Sequence, residues 1–478
     1  MDKCWPCAQK CFAFGMKEPY KINRKGTKGV TIKPYFSIPT LVHLEITYAC
    51  MANCIMCYNP ARTLPTDRDK DNVWDIIKSM AKQRVPHVYL IGGEPTYGFS
   101  TQELSKYVDY LYENGSSVSL ITNGQIRLKG MTKNLACFGI SIHGSTSESH
   151  DFITGLPGSW ARALETAKQY IAEGFDLRFI TVVMGRNAQE MYDIARLAHE
   201  IGAESVYFDI YEPGGIGEKN SNVKELRMQP TQEELKIAIG QIIQANKDFS
   251  LRGGIGLGTA LPYCFDERLI EAGMAANCGV GTHFGAVTNV GDYRICNQSK
   301  MVFGNVLETS LHDIWMSDEI TDYFRSLDWV EEPCSSCPAL EECAGGCKVD
   351  EGSNSGEFRI DRIVRGLSDE AKSKISKDIL KRKGINSDYP AIYRKLKLDR
   401  FFALTDIYKE YGDIFFKTRY QTVRISEDEE SILKAIENIG GIFNEKDLIN
   451  AYKDDVDEKD MRVFISELIL AGALNEIE

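Results

Sequence analysis

Between residues 38 and about 250 the chain alternates short apolar runs with amphipathic stretches, and no other feature narrows its fold as much. Six runs predict strands, at Val42–Ile46, Val88–Ile91, Ser117–Ile121, Phe138–Ile142, Leu177–Met184 and Ser205–Ile210. Helical periodicity falls near 70–83, 101–114, 160–173, 189–201 and 231–246. Strands alternating with helices predict an α/β fold built on a parallel sheet or barrel. Six such units fall short of the eight that close a barrel. Chemistry in folds of this kind gathers at the C-terminal ends of the strands, and the polar motifs of this stretch lie there.

Directly after the first strand come Cys50, Cys54 and Cys57, spaced so that three thiolates can converge on one metal site. A cubane iron–sulfur cluster normally takes four thiolates, so three leave one iron able to bind a small molecule. A structural zinc site would want a fourth Cys or His close by, and Asn53, Met56, Tyr58 and Asn59 do not supply one. After the second strand stands Gly92-Gly93-Glu94-Pro95, where two glycines allow close backbone approach to a ligand. The third and fourth strands end in Ile121-Thr122-Asn123-Gly124 and Ile140-Ser141-Ile142-His143-Gly144.

This set of motifs resembles the radical S-adenosylmethionine (SAM) superfamily. The resemblance implies a partial (β/α)6 barrel, TIM-like and open on one side, with SAM chelated by the open iron of a [4Fe–4S] cluster on Cys50, Cys54 and Cys57. Cleavage of SAM there yields a 5′-deoxyadenosyl radical that takes a hydrogen atom from substrate. It also implies SAM contacts from Gly92, Gly93 and Glu94, from Asn123 and from Ser141, and a reducing partner such as flavodoxin or ferredoxin. His143 stands where the family often has an aspartate, and Thr154 where it has an arginine; His143 reads more simply as an oriented structural histidine. Tyr211-Glu212-Pro213-Gly214-Gly215 falls where the family contacts adenine, or is an ordinary turn.

A second cysteine array follows: Cys264, Cys278 and Cys296, then Cys334, Cys337, Cys343 and Cys347. With Phe303-Gly304-Asn305-Val306 and Leu311-His312-Asp313-Ile314-Trp315 between its halves, it resembles the SPASM extension of radical SAM peptide and protein maturases, which carries two auxiliary [4Fe–4S] clusters. By resemblance Cys278, Cys296 and Cys347 serve the first of these, with Cys264 as fourth ligand, and Cys334, Cys337 and Cys343 serve the second. Three clusters are thus expected. No cysteine follows Cys347, so the second auxiliary cluster lacks a ligand that Asp350, Glu351 or an N-terminal thiol could replace, unless that iron is open. A zinc ribbon is the competing reading of 334–347. Cys137 reads as a buried apolar thiol.

The domain order expected is a cysteine-containing arm (1–37, with Cys4, Cys7 and Cys11), the barrel (38–250), the auxiliary-cluster domain (255–352), a helical linker (353–398) and a small α+β domain (399–478). In the last, strands are predicted at Phe401–Tyr411, Asp413–Lys417 and Tyr420–Ile425, and helices at 427–439, 445–453 and 457–471. This order resembles a winged helix of the kind that recognises leader peptides of ribosomally made natural products. Winged helices also bind DNA, but residues 421–478 hold six Lys/Arg against fifteen Asp/Glu, which would repel phosphate.

Fourteen cysteines without an export signal favour metal over disulfides. The absence of an apolar leader or a run long enough to span a bilayer makes the expected location cytoplasmic, with no membrane partner and, at a net charge of −12, no nucleic-acid partner. The function expected is radical modification of a precursor peptide bearing a leader: crosslink, thioether, epimerisation or oxidation. Alternatives are an anaerobic sulfatase-type maturase, in which an aspartate rather than Asn297 commonly follows the cysteine at 296, a small-molecule enzyme like those of haem pathways, and, outside catalysis, a cluster-based sensor.

Overall fold

The computed structural model describes residues 38–213 apart from 61, 66 and 67, residues 225–348 with short gaps, and parts of 395–477. The N-terminal arm with Cys4, Cys7 and Cys11, the pair Gly214-Gly215, Asp350, Glu351 and linker residues 353–394 lie outside the described residues.

Six parallel strands follow the predicted alternation: β1 (Leu41–Thr47), β2 (His87–Gly92), β3 (Ser117–Thr122), β4 (Cys137–Ser141), β5 (Leu177–Val183) and β6 (Ser205–Ile210). Each pairs with the next in sequence. Their apolar runs are buried on both faces, as a parallel sheet covered by helices requires. Val42, Leu44 and Ile46 of β1 and Val88 and Leu90 of β2 are fully buried in one core with Val73, Ile76 and Ile77 of the helix Arg68–Lys82. Phe138 of β4 stacks on Tyr170 of the helix Ser159–Ala172, centroids 3.8 Å apart. The helices Thr101–Glu113 and Gln232–Asp248 each begin in a capping box, Ser100 with Glu103 and Thr231 with Glu234, which satisfies backbone donors that a helix start leaves open. Cys137 is buried at the start of β4, as read.

The sheet is wider than the sequence suggests. β7 (Gly254–Leu257) adds in parallel beside β6, and β8 (Phe284–Val287) adds in parallel on the far side of β1. β9 (Asp292–Arg294) and β10 (Val302–Asn305) extend it as an antiparallel meander. The strand order is β10-β9-β8-β1-β2-β3-β4-β5-β6-β7, and the sheet does not close. The expected boundary at 250–255 therefore falls at β7, and the first part of the cluster region shares the barrel's sheet. β7 escapes pattern reading because Gly-Ile-Gly-Leu has too few β-formers to stand out.

At the C-terminal end, β12 (Ile407–Glu410), β13 (Asp413–Lys417) and β14 (Thr422–Ile425) form an antiparallel sheet in that order. The helices Glu427–Ile439 and Glu445–Ala451 follow, with β15 (Ile442–Asn444) between them. Ile414, Ile425, Leu433, Ile436, Phe443, Leu448 and Ile465 share a core. The described residues between 458 and 468 are helical. One correction concerns the linker. Lys395–Leu398 is not helical but a strand, β11, paired antiparallel with β15 and with β16 (Leu474–Ile477). Lys-Leu-Lys-Leu alternates with the period of a strand, and its antiparallel partners lie about 45 and 80 residues downstream, out of reach of any local signal.

Candidate active site

The cysteine loop leaves β1 and is held from two sides. The N–H groups of Asn53 and Ile55 donate to the carbonyls of Thr154 (2.8 Å) and Ile153 (3.0 Å), at the end of the helix Ser147–Thr154. From the other side, Gly93 N–H reaches the Thr47 carbonyl at 2.6 Å and Glu94 N–H the Ala49 carbonyl at 2.7 Å. This approach explains the glycine pair. A Cβ on Gly93 would stand 2.4 Å from the Ala49 oxygen, and Gly92 has φ +140°, a conformation that side chains disfavour. The pair serves the packing of two loops before it serves any ligand.

Glu94 is buried and accepts four hydrogen bonds: from Thr96 N–H (3.0 Å) and Oγ1 (2.7 Å), from Thr122 Oγ1 (2.6 Å) and from Asn123 N–H (2.6 Å). Its carboxylate is committed to protein donors, so it acts as a brace between the ends of β2 and β3. The amide Nδ2 of Asn123 lies 3.4 Å from the Met51 sulfur and 4.0 Å from Cys50 Sγ.

A cavity of about 410 Å³ occupies the C-terminal ends of the strands. Cys50, Cys54, Cys57, Gly92, Gly93, Glu94, Asn123 and Ser141 all line it, and so do Cys278, Cys296 and Cys347. Two thiol sets far apart in sequence therefore open on one space. Tyr211 and Glu212, at the predicted adenine position, line it as well. Cys264, Cys334, Cys337 and Cys343 do not. Cys264 and Cys337 pack instead on a small cluster of Tyr263, Ile270 and Cys343.

The pairing of β8 with β1 and of β9 with β8 brings the second set to the barrel, and a buried ion pair fastens it there. Arg294 of β9 donates to Glu45 of β1, which also accepts from Tyr48 OH at 2.7 Å, while Arg294 Nη1 donates to the Ser299 carbonyl at 3.0 Å. Cys296 lies two residues past Arg294. Asn297 hydrogen-bonds the side chains of His43 and Tyr58, a neutral role where a sulfatase-type maturase would hold a base.

The thiols of this site are buried and held neutral. Burial pushes Cys50 up to about 11 and Cys296 up to about 12, and raises Cys54 and Cys57 too. Free, they stay neutral, and metal binding must expel their protons. None of the eleven described cysteines is in a disulfide. Three thiols beside a glycine turn and two polar strand ends fit a cluster that binds SAM.

His143 lines the cavity with its ring held in place. Its Nδ1 accepts from Val182 N–H (3.2 Å), its ring stacks 5.9 Å from His150, and burial next to His150 lowers it to about 3. Thr154 cannot stand in for an arginine, because its hydroxyl bonds the His150 carbonyl (3.0 Å) and Ser159 Oγ (2.7 Å). Two charged residues escaped sequence reading. Arg62 donates to the Cys54 carbonyl at 2.7 Å and to the Asn53 side chain, clamping the cysteine loop with its cation among the thiols. Asp209 of β6 lines the cavity, where burial raises it to about 6. Gly258 makes room for it, since a Cβ there would meet Asp209 Oδ1 at 2.0 Å. Strand alternation could have placed Asp209 inward beside Tyr207, but not said that the interior is a cavity.

Residues 44–198 match the radical SAM superfamily, and residues 278–338 match SPASM, an iron–sulfur cluster-binding domain. The chain thus carries a radical SAM domain followed by a SPASM domain, the equipment of an enzyme that works with iron–sulfur clusters and SAM. An AdoMet-dependent heme synthase of Methanosarcina barkeri is 27% identical over 338 residues, covering 67% of this chain and 94% of that protein. A PqqA peptide cyclase of Methylocella silvestris is 27% identical over 335 residues, covering 68% and 86%. Among solved structures, Streptococcus suis SuiB bound to precursor peptide SuiA superposes with a TM-score of 0.53 at 18% identity, over 69% of this chain and 76% of that one. That likeness speaks for the fold. Among the described residues no helix is long and apolar enough to cross a membrane.

Proposed function

We propose that this enzyme modifies a ribosomally made precursor peptide. The observation that carries the reading is the shared cavity: the SAM-side motifs and the cysteines Cys278, Cys296 and Cys347 face the same space, so a substrate held there touches both. In this reading Cys50, Cys54 and Cys57 hold one [4Fe–4S] cluster, and Cys264, Cys278, Cys296, Cys334, Cys337, Cys343 and Cys347 hold two auxiliary clusters. Bound at the first, SAM would supply radical chemistry for hydrogen abstraction. Gly92 and Gly93, Asn123, Ser141, Tyr211 and Glu212, which line the cavity, would hold SAM, the glycine turn on the side of its amino group and Tyr211 and Glu212 on the side of its adenine. Glu94 keeps the turn rigid, and Arg62 balances the negative charge of the thiolates. A flavodoxin or ferredoxin supplies the electron.

The C-terminal region from 395 would recognise the leader. β14 is an edge strand of its sheet, and an extended peptide adds to such an edge by main-chain hydrogen bonds. The heme synthase relative favours a second reading, a small-molecule substrate, which would leave this region without a task. Mass spectrometry decides between them: short peptides encoded beside this gene are coexpressed with the chain under anaerobic conditions. A mass change that depends on Cys50, Cys54 and Cys57 supports the peptide reading; unmodified peptides, with turnover of a porphyrin precursor, would replace it.

A further inference from the structure

The second auxiliary set, Cys334, Cys337 and Cys343, has no fourth cysteine after Cys347, while the expected fourth ligand of the first set, Cys264, is absent from the cavity that Cys278, Cys296 and Cys347 line. Both facts have one geometric answer. The N–H of Tyr263 stands 3.5 Å from Cys343 Sγ. Consecutive α-carbons are about 3.8 Å apart, so Cys264 begins within a side chain's reach of the Cys343 sulfur. Cys264 sits where the main core meets the cluster of Tyr263, Ile270 and Cys343, and Cys337 packs on that same cluster.

We propose that Cys264 is the fourth ligand of the second auxiliary cluster, with Cys334, Cys337 and Cys343, and that the first keeps Cys278, Cys296 and Cys347 alone, its fourth position turned to the cavity. A cubane normally takes four thiolates, and this assignment completes one set from upstream in the chain instead of downstream. Binding costs no redox change: the Cys264 thiol loses its proton as the iron–sulfur bond forms. The consequence is an exchangeable iron site where substrate lies, open to a nitrogen, oxygen or sulfur donor.

The assignment rests on the reading of these thiols as cluster ligands, and the test keeps the two apart. The full chain carrying Cys50→Ala, Cys54→Ala and Cys57→Ala is reconstituted anaerobically with iron and sulfide, and the dithionite-reduced protein is followed by electron paramagnetic resonance and iron analysis. Cys264→Ala leaves three thiolates on the second cluster, so it should shift the signal that Cys343→Ala shifts and make it respond to imidazole, and combining the two should remove that signal with about four irons. Combining Cys264→Ala with Cys296→Ala should alter both signals. Cys264→Ser, which keeps a ligand atom, should shift the Cys343-dependent signal without abolishing it, and decides the matter should the alanine variant not fold. In the parent variant imidazole should perturb only the Cys296-dependent signal. Loss of the Cys296-dependent signal on replacing Cys264, no change in either signal, or an imidazole effect confined to the Cys343-dependent one overturns the assignment while leaving the cluster reading intact. Absence of iron from the parent variant overturns both.

Discussion

The backbone N–H of Asn123 donates to the Glu94 carboxylate at 2.6 Å, so the ends of two neighbouring strands are fastened by one buried side chain. The same carboxylate holds Thr122 Oγ1 at 2.6 Å, which sets the direction in which Asn123 leaves β3. Glu94 therefore acts on the site by fixing the polar groups around it.

Glu94→Gln should lose more than its small change in shape implies. The amide nitrogen cannot accept, so at least one of the four donors around Glu94 is left facing another donor, a loss of about 2 kcal/mol. Thermal unfolding should show that loss, and equilibrium dialysis should show weaker SAM binding. Unchanged stability with unchanged SAM affinity would remove the brace.

Replacing Cys50, Cys54 and Cys57 together by alanine should abolish 5′-deoxyadenosine formation from SAM and dithionite. On the three-cluster reading the parent holds close to twelve irons and the variant close to eight. Undiminished 5′-deoxyadenosine would sink the assignment of the triplet. Zinc alongside only four irons in the parent would identify 334–347 as a ribbon.

Asp209 gives the fold a pH signature. Burial lifts it from 3.8 to about 6, so the folded state holds its proton more tightly than the unfolded chain does. Stability from this residue is fullest below about pH 4, falls as pH rises to about 6 and is level above. Asp209→Asn should remove that slope and gain at most about 3 kcal/mol at pH 8 relative to pH 4. Thermal unfolding of both proteins at pH 5 and pH 8, under anaerobic conditions, checks it; parallel changes in the two would show that Asp209 is ionised at both.

Deleting 395–478 should remove affinity for the leader but leave 5′-deoxyadenosine formation, because every proposed cluster and SAM ligand precedes the deleted stretch. Proline substitutions refine the point. Successive N–H groups of a strand alternate in direction, so of Val423→Pro and Arg424→Pro one removes a donor on the open edge of β14 and the other a donor to β13. The first should weaken leader binding at least tenfold while costing less thermal stability than the second. Fluorescence anisotropy with a labelled leader measures this, and equal affinity for the full and shortened chains would leave the region without its proposed role.

The sequence by itself determined the six parallel strands, the helices between them and the polar motifs at the strand ends, because each rests on local periodicity or on residues adjacent in the chain. Cys50, Cys54 and Cys57 could be read as one set for the same reason. Tertiary structure decided the rest. That β7 and β8 flank the six expected strands depends on pairings with β6 and β1, and for β8 the partner is more than two hundred residues away. That Gly92 packs against Thr47 and Gly93 against Ala49, that Arg294 finds Glu45, and that Cys264 lies beside Cys343 rather than on the cavity are contacts between distant segments. Spacing along a chain fixes which ligands can share a loop, whereas which loops share a site is settled only when the sheet and its core bring them together.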